Sequence, residues 1–233
     1  RTQYTKKGIH FHLSCRVTHI EGHSVTFTDA EGASHTIEGD KILLSVGRRP
    51  IIRGLGLETL DIELERGGVK VDSQMRTNAE GVYAAGDITG FSLLAHTASR
   101  EAEVAVNTIC GHRDTMLYNA IPGIVYTNPE VAGVGITEAQ AKQQGIEYQC
   151  HKLPLAYSGR FVAENEGGEG LCKIITDKAT GHILGVHMLG NPCSEIISSA
   201  CIAIERGMTA KELERVVFPH PTVGEIIKET ILM

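Results

Sequence analysis

Residues 77–96 read Thr-Asn-Ala-Glu-Gly-Val-Tyr-Ala-Ala-Gly-Asp-Ile-Thr-Gly-Phe-Ser-Leu-Leu-Ala-His. Gly81–Ala85 is predicted to be a strand, Gly86-Asp87 a turn, and Leu93 through Cys110 a helix. That helix is apolar at Leu94, Ala98, Ala102, Ala105, Val106 and Ile109 and is closed by Gly111. A turn at the carboxyl end of a strand is where open α/β sheets take ligands. Small residues let a ligand come close, Asp87 offers a carboxylate to hydroxyls, and free N–H groups near Leu94 and Ala95 favour an anionic group. A sugar-phosphate cofactor would fit. Composition alone also describes a plain strand-to-helix turn with an Asp near the helix start.

Towards the amino end, Tyr4-Thr5-Lys6-Lys7-Gly8 has the cations and exit glycine of a helix terminus, so the chain is expected to start in mid-domain. Ile9–Leu13, Cys15–Ile20 and Ser24–Thr28 alternate or are β-branched and read as short strands. Asp40–Val46 is nearly continuous and apolar, the pattern of a strand covered on both faces in a parallel sheet. Turns follow from Gly47, with a short strand at Gly68–Val71.

Towards the carboxyl end, a mixed α+β domain is predicted from about Tyr118. Its strands are Gly123–Tyr126, Val131–Ile136, Tyr148–Pro154, Gly170–Thr176 and His182–Leu189, with a hairpin turn at Asp177–Gly181. Thr137-x-x-Gln140 and Thr209-x-x-Glu212 are capping boxes that open helices. Ser194–Arg206 is a further helix with Ile197, Cys201 and Ile204 on one face.

The chain has 233 residues, 42% hydrophobic and 21% charged, with a formal charge of −6 spread along it and no run of five like charges. Neither a nucleic-acid footprint nor a polybasic membrane patch is present, and no apolar stretch approaches the roughly 20 residues that span a bilayer. A cytoplasmic protein is expected, or one of the mitochondrial matrix if the source is eukaryotic. Six cysteines, at 15, 110, 150, 172, 193 and 201, form no CxxC pair and no zinc-like spacing, so no metal site is expected.

His220-Pro221-Thr222-x-x-Glu225 combines a titratable ring, a rigid turn and a carboxylate at the predicted third position of a helix. Pro221 fixes the backbone, Thr222 can cap, and Glu225 folds back so that it can meet His220. A carboxylate on an imidazole fixes one tautomer and raises basicity, which prepares the ring for proton transfer near neutral pH. The same letters also describe an ordinary capping box.

These two segments, together with Ser45-Val46-Gly47-Arg48-Arg49-Pro50, Thr127-Asn128-Pro129-Glu130-Val131-Ala132 and Gly185-Val186-His187-Met188-Leu189-Gly190, resemble the pyridine nucleotide-disulfide oxidoreductases. The likeness is strongest to the dihydrolipoamide dehydrogenase branch, in the right order over nearly the whole chain. The resemblance implies an α/β and α+β architecture: residues 1–46 ending an NAD-binding domain, 47–117 returning to an FAD-binding domain, and 118–233 forming a dimerisation domain.

Under this resemblance Gly47 lies beside the nicotinamide nucleotide, Asp87 binds the FAD ribityl or phosphate region, and Leu93, Leu94, Ala95 and His96 line the flavin. His220 is the acid-base catalyst, oriented by Glu225, and it serves the partner subunit of a homodimer. FAD and NAD are the implied cofactors. The implied partner is a lipoyl-bearing subunit of a 2-oxo acid dehydrogenase complex or of the glycine cleavage system. Helix 194–206 could belong to the two-fold interface or face its own core. The family's glycine-rich loops and redox cysteine pair are not in these residues, so the chain is expected to be the C-terminal part of a longer enzyme, inactive alone. Glutathione reductase-like, mercuric reductase-like and soluble transhydrogenase-like enzymes share the fold and remain alternatives. So does a non-enzymatic dimerisation or docking module.

Overall fold

A computed structural model describes residues 1–233, which divide into two compact units, Arg1–Arg48 and Arg49–Met233. In the first unit the expected helix end is α1 (Thr2–Lys6). Three antiparallel strands follow in a meander: β1 (Arg16–Glu21), β2 (Ser24–Thr28) and β3 (Ser34–Glu38), with Glu21 opposite Ser24 and Thr28 opposite Ser34. Asp29 closes the second turn by accepting the N–H groups of Glu31 and Ala33, and its other oxygen meets His35 Nε2 at 2.7 Å. Phe27 is the one buried side chain, between the rings of His12 and His35.

Two expected strands do not form here. Ile9–Leu13 joins no strand, and Asp40–Val46 joins no sheet, leaving Leu43 89% and Val46 83% exposed. A strand covered on both faces needs parallel neighbours and flanking helices. The three strands present form an antiparallel meander, which supplies neither.

The second unit opens with turns and a hairpin, β4 (Leu64–Glu65) and β5 (Gly68–Val69). Its two loop residues, Arg66 and Gly67, both have positive φ, the backbone of the tight hairpin turn that follows strand twist. The hairpin lies directly on the backbone of 88–90, where a Cβ on Gly68 would stand 2.5 Å from the Gly90 nitrogen. Only glycine permits that approach.

The strand expected at Gly81–Ala85 shrinks to a single bridge between Tyr83 and Arg76, because the segment's only neighbour is the short stretch 75–77. The long helix forms as expected, as α2 (Ala95–Ile109). Its buried face differs from the expected one. Thr97, Glu101, Val104, Ala105 and Thr108 point inward, while Val106 and Ile109 are exposed. The spacing 97, 101, 104, 108 is a helical face, but three of its four members are polar, so hydrophobicity alone does not reveal it. Val104 packs with Met75, Ala105 and Met116 in a small core.

The largest core belongs to a five-stranded antiparallel sheet: β6 (Gly123–Val125), β7 (Val131–Gly135), β8 (Tyr148–Pro154), β9 (Leu171–Asp177) and β10 (Ile183–Leu189). The spatial order is β6-β7-β10-β9-β8. Both capping boxes form, at α3 (Glu138–Gln143) and, later in the chain, at α6 (Ala210–Leu213). The short helix α4 (Gly159–Glu164) is capped by Ser158.

Helix α5 (Cys193–Glu205) covers β7 and β10, and α7 (Ile226–Leu232) covers β8 and β9. Ile197, Ala200, Ala203 and Ile204 of α5 are buried in this core with Ile174, Val186, Ile226 and Ile227. The apolar stripe of α5 therefore faces its own sheet. Each of the isoleucines and Val186 stabilises the fold by roughly 1.5–3 kcal/mol on burial.

Candidate active site and cofactor turn

His220 and Glu225 meet. Nδ1 of His220 lies 2.8 Å from Oε2 of Glu225, and the second carboxylate oxygen accepts the N–H of Thr222 at 3.2 Å. Thr222 Oγ1 in turn accepts the Glu225 N–H at 3.4 Å and donates to the Pro219 carbonyl at 2.8 Å. The His220–Pro221 peptide is cis. The reciprocal pair is a capping box, but it closes the turn just before α7, and Glu225 directly precedes the first helical residue. Glu225 thus stands three positions earlier in the helix than expected, with its reach back to the turn unchanged.

The segment is anchored from below. Val223, Ile226 and Ile227 are buried in the main core, Ser158 Oγ donates to the Thr222 carbonyl at 3.0 Å, and Lys228 Nζ donates to the Val216 carbonyl at 2.9 Å. The ring itself is open: the His220 side chain is 80% exposed against 14% for Glu225. A carboxylate accepts only, so Nδ1 carries the proton and Nε2 presents its lone pair outward. This is the geometry of an oriented base.

At the other motif, Gly86 (φ +85°) precedes a single 3₁₀ turn, Asp87–Thr89, and the Asp87 side chain is exposed. Leu94 is the N-cap of α2 and no side chain caps the helix, so its first N–H groups, those of Ala95, His96 and Thr97, have no partner within the helix. Leu93 is half-buried, and Leu94, Ala95 and His96 are exposed. His96 Nε2 donates to the Pro122 carbonyl at 3.0 Å. Gly47 has φ +92° and belongs to the first unit.

Five residues around these two motifs escaped the sequence reading. Glu101 on α2 is fully buried and accepts the Gly86 N–H at 2.6 Å and the Tyr118 hydroxyl at 2.7 Å. Burial, and then the bond to Glu101, push the Tyr118 phenol well above its usual range. Tyr118 packs on Phe91, ring centroids 3.9 Å apart, and the guanidinium of Arg66 sits over the same Phe91 ring. Ser158, which bonds the Thr222 carbonyl beside the His220 turn, is the fifth. For Glu101 the available signal is its place in the 97, 101, 104, 108 spacing.

The sequence model described as the pyridine nucleotide-disulphide oxidoreductase dimerisation domain matches residues 121–231, and that of pyridine nucleotide-disulphide oxidoreductase matches residues 1–102. The dihydrolipoyl dehydrogenase of Bacillus subtilis is 41% identical over 230 residues, 96% of this chain and 48% of the relative. The mitochondrial dihydrolipoyl dehydrogenase of Caenorhabditis elegans is 39% identical over 98% of this chain and 47% of the relative. The crystal structure of LpdA from Mycobacterium tuberculosis superposes with a TM-score of 0.86 at 28% identity, covering 100% of this chain and 51% of that one. The chain spans about half the length of the curated relatives it matches. With both of its parts matched by models of one family, and fold and sequence in agreement, the chain belongs to the pyridine nucleotide-disulphide oxidoreductases.

Proposed function

We propose that this chain is the C-terminal part of a dihydrolipoamide dehydrogenase, with His220 as its acid-base catalyst and Glu225 as the residue that orients the ring. The observation that carries the reading is the 2.8 Å contact between His220 Nδ1 and Glu225 Oε2, which leaves Nε2 outward. A dithiol brought to Nε2 loses its proton to the ring, and the resulting thiolate is the species that exchanges with a disulfide. Glu225 balances the imidazolium formed in that step. Similarity to proteins named dihydrolipoyl dehydrogenase favours this substrate over those of the related reductases.

FAD, when bound, supplies the relay between dithiol and NAD. The donor set fits such a group. Asp87 is an open carboxylate for ribityl hydroxyls, and the uncapped start of α2 at Leu93–His96 gives positive partial charge to an anionic flavin or phosphate. Gly47 is assigned to the nicotinamide side. On this reading residues 1–46 end an NAD-binding domain, 47–117 return to the FAD-binding domain, and 118–233 dimerise. The break between compact units after Arg48 and the match beginning at residue 121 support that division.

The active form is a homodimer in which His220 serves the partner's site, and it takes its substrate from a lipoyl-bearing subunit of a 2-oxo acid dehydrogenase complex or the glycine cleavage system. The compartment is the cytoplasm in a bacterium or the mitochondrial matrix in a eukaryote. No helix is long and apolar enough to cross a membrane.

The test is His220→Gln in the complete flavin-loaded enzyme. Dihydrolipoamide oxidation should fall by about 10²- to 10⁴-fold, the range for a lost general acid-base group, with flavin absorbance retained. Unchanged turnover overturns the assignment.

A further inference from the structure

Glu101 is a carboxylate at 0% exposure whose hydrogen-bond partners are both neutral, a backbone N–H and a phenol. A buried carboxylate is costly unless its oxygens are satisfied, and here each oxygen is taken by a group from a different segment. One is the N–H of Gly86, the residue immediately before Asp87. The other is the hydroxyl of Tyr118, which opens the short 3₁₀ turn Tyr118–Ala120 leading into β6. Gly86 has φ +85° and ψ −160°, a conformation that favours glycine, and a Cβ there would sit 3.4 Å from Ala98 Cβ. The N–H is thus held in one direction by its own backbone, by α2 and by Glu101. Tyr118 also packs on Phe91, so the same side chain touches the loop between Asp87 and α2.

We infer that Glu101 is a positioning residue for the Gly86–Asp87 turn, and that through Tyr118 it makes the orientation of Asp87 depend on how the segment leading into the five-stranded sheet is seated. The identity of the group received at Asp87 rests on the flavin reading above; the bracing does not. A loosened Tyr118 leaves Glu101 with an unsatisfied oxygen, and the carboxylate then shifts away from Gly86. The Gly86–Asp87 turn and the entry to the five-stranded sheet are in this way one mechanical unit.

The test is amide hydrogen exchange at Gly86 in the 233-residue chain, referenced to Ile174 in the main core. Glu101→Leu should speed Gly86 exchange by about 30-fold, the loss of a charge-assisted bond. Glu101→Gln should stay within about 3-fold, because its amide oxygen still accepts from Gly86 and its amide N–H can donate to Tyr118 Oη. Tyr118→Phe should speed exchange by about 5-fold although Tyr118 makes no bond to Gly86, with no added effect in the Glu101→Leu background. If Glu101→Leu does not fold, the Gln and Phe variants decide alone.

An unchanged Gly86 rate in Tyr118→Phe, or a Gln variant as fast as Leu, overturns the proposal. In parallel, FAD release from the complete enzyme is followed by fluorescence on dilution, where Tyr118→Phe should release faster than wild type. If wild type takes up no FAD while Gly86 responds as stated, the flavin reading falls and the bracing stands.

Discussion

The imidazole of His187 packs against Gly133, its cross-strand partner, so closely that a Cβ on Gly133 would stand 2.7 Å from Nδ1. The ring is held there by a 2.9 Å bond from Nε2 to the carbonyl of Ile136. Gly133→Ala must push the ring off its strand and break that bond. Overpacking of this kind costs about 1–3 kcal/mol, which urea unfolding would show as a lower midpoint with the slope unchanged. Adding His187→Ala should recover part of the loss. A Gly133→Ala protein as stable as wild type would show that the sheet yields there.

Glu138, at the start of α3, lies 2.9 Å from Lys173 Nζ and 3.4 Å from Lys152 Nζ. The bond from Lys173 chiefly, with Lys152 adding, holds its carboxyl down at about 2 against an ordinary 4.5. A carboxyl depressed on folding stabilises the protein above its unfolded value, and that contribution disappears as pH falls from about 4.5 through 2. The Asp114 carboxyl, held low by Arg100 and then Asn107, acts in the same direction at still lower pH. Thermal unfolding should therefore lose midpoint on acidification below about 4.5. Glu138→Gln should be less stable at pH 7 and show a shallower acid limb. Equal slopes in the two proteins would remove Glu138 from the account.

What could be read from the sequence is chiefly what local bonds or one core reward. Both Thr-headed capping boxes formed as written because their bonds are local, and β7 to β10 formed because their alternation is rewarded by one core. Strand β3 was not foreseen, since Ser34 to Glu38 hold a single aliphatic residue, Ile37, where the equally exposed β1 holds two, Val17 and Ile20. Asp40–Val46 was misread for the opposite reason: apolar content without a neighbour makes no strand. The His220–Glu225 contact was legible from the six residues 220–225. Glu101 was not, because a Glu on a helix ordinarily faces water, and its two partners lie 15 and 17 residues away.

The six cysteines should separate by access and acidity. Burial raises the Cys172 thiol to about 12, and those of Cys193 and Cys201 to about 11, so thiolate is scarce at neutral pH. Cys110, at the end of α2, is exposed. Titration of the native chain with a disulfide reagent at pH 8 should show a fast phase that Cys110→Ser removes. Cys172 and Cys193, both buried, should react only after unfolding. Fast modification of Cys172, read by peptide mass, would mean that the core under α7 opens readily.

Ser158 ties two loops that the catalytic proposal needs to keep still. Its Oγ caps α4 by accepting the Phe161 N–H at 3.2 Å and donates to the Thr222 carbonyl at 3.0 Å, one residue from the cis peptide after His220. The side chain is 2% exposed, so water cannot replace either bond. Ser158→Ala should cost about 1–2 kcal/mol from the lost cap and an unsatisfied carbonyl. Ser158→Thr keeps the hydroxyl and should recover most of it if the added methyl finds room beside Phe161. The discriminating measurement is the His220 ring in two-dimensional NMR. In the Ala variant the ring signals should broaden or split as the turn samples more than one position, while those of His187, held by its own sheet, stay sharp. A sharp, unshifted His220 ring alongside a lowered melting temperature would mean that Ser158 stabilises α4 alone and leaves the turn to Glu225 and the core beneath it.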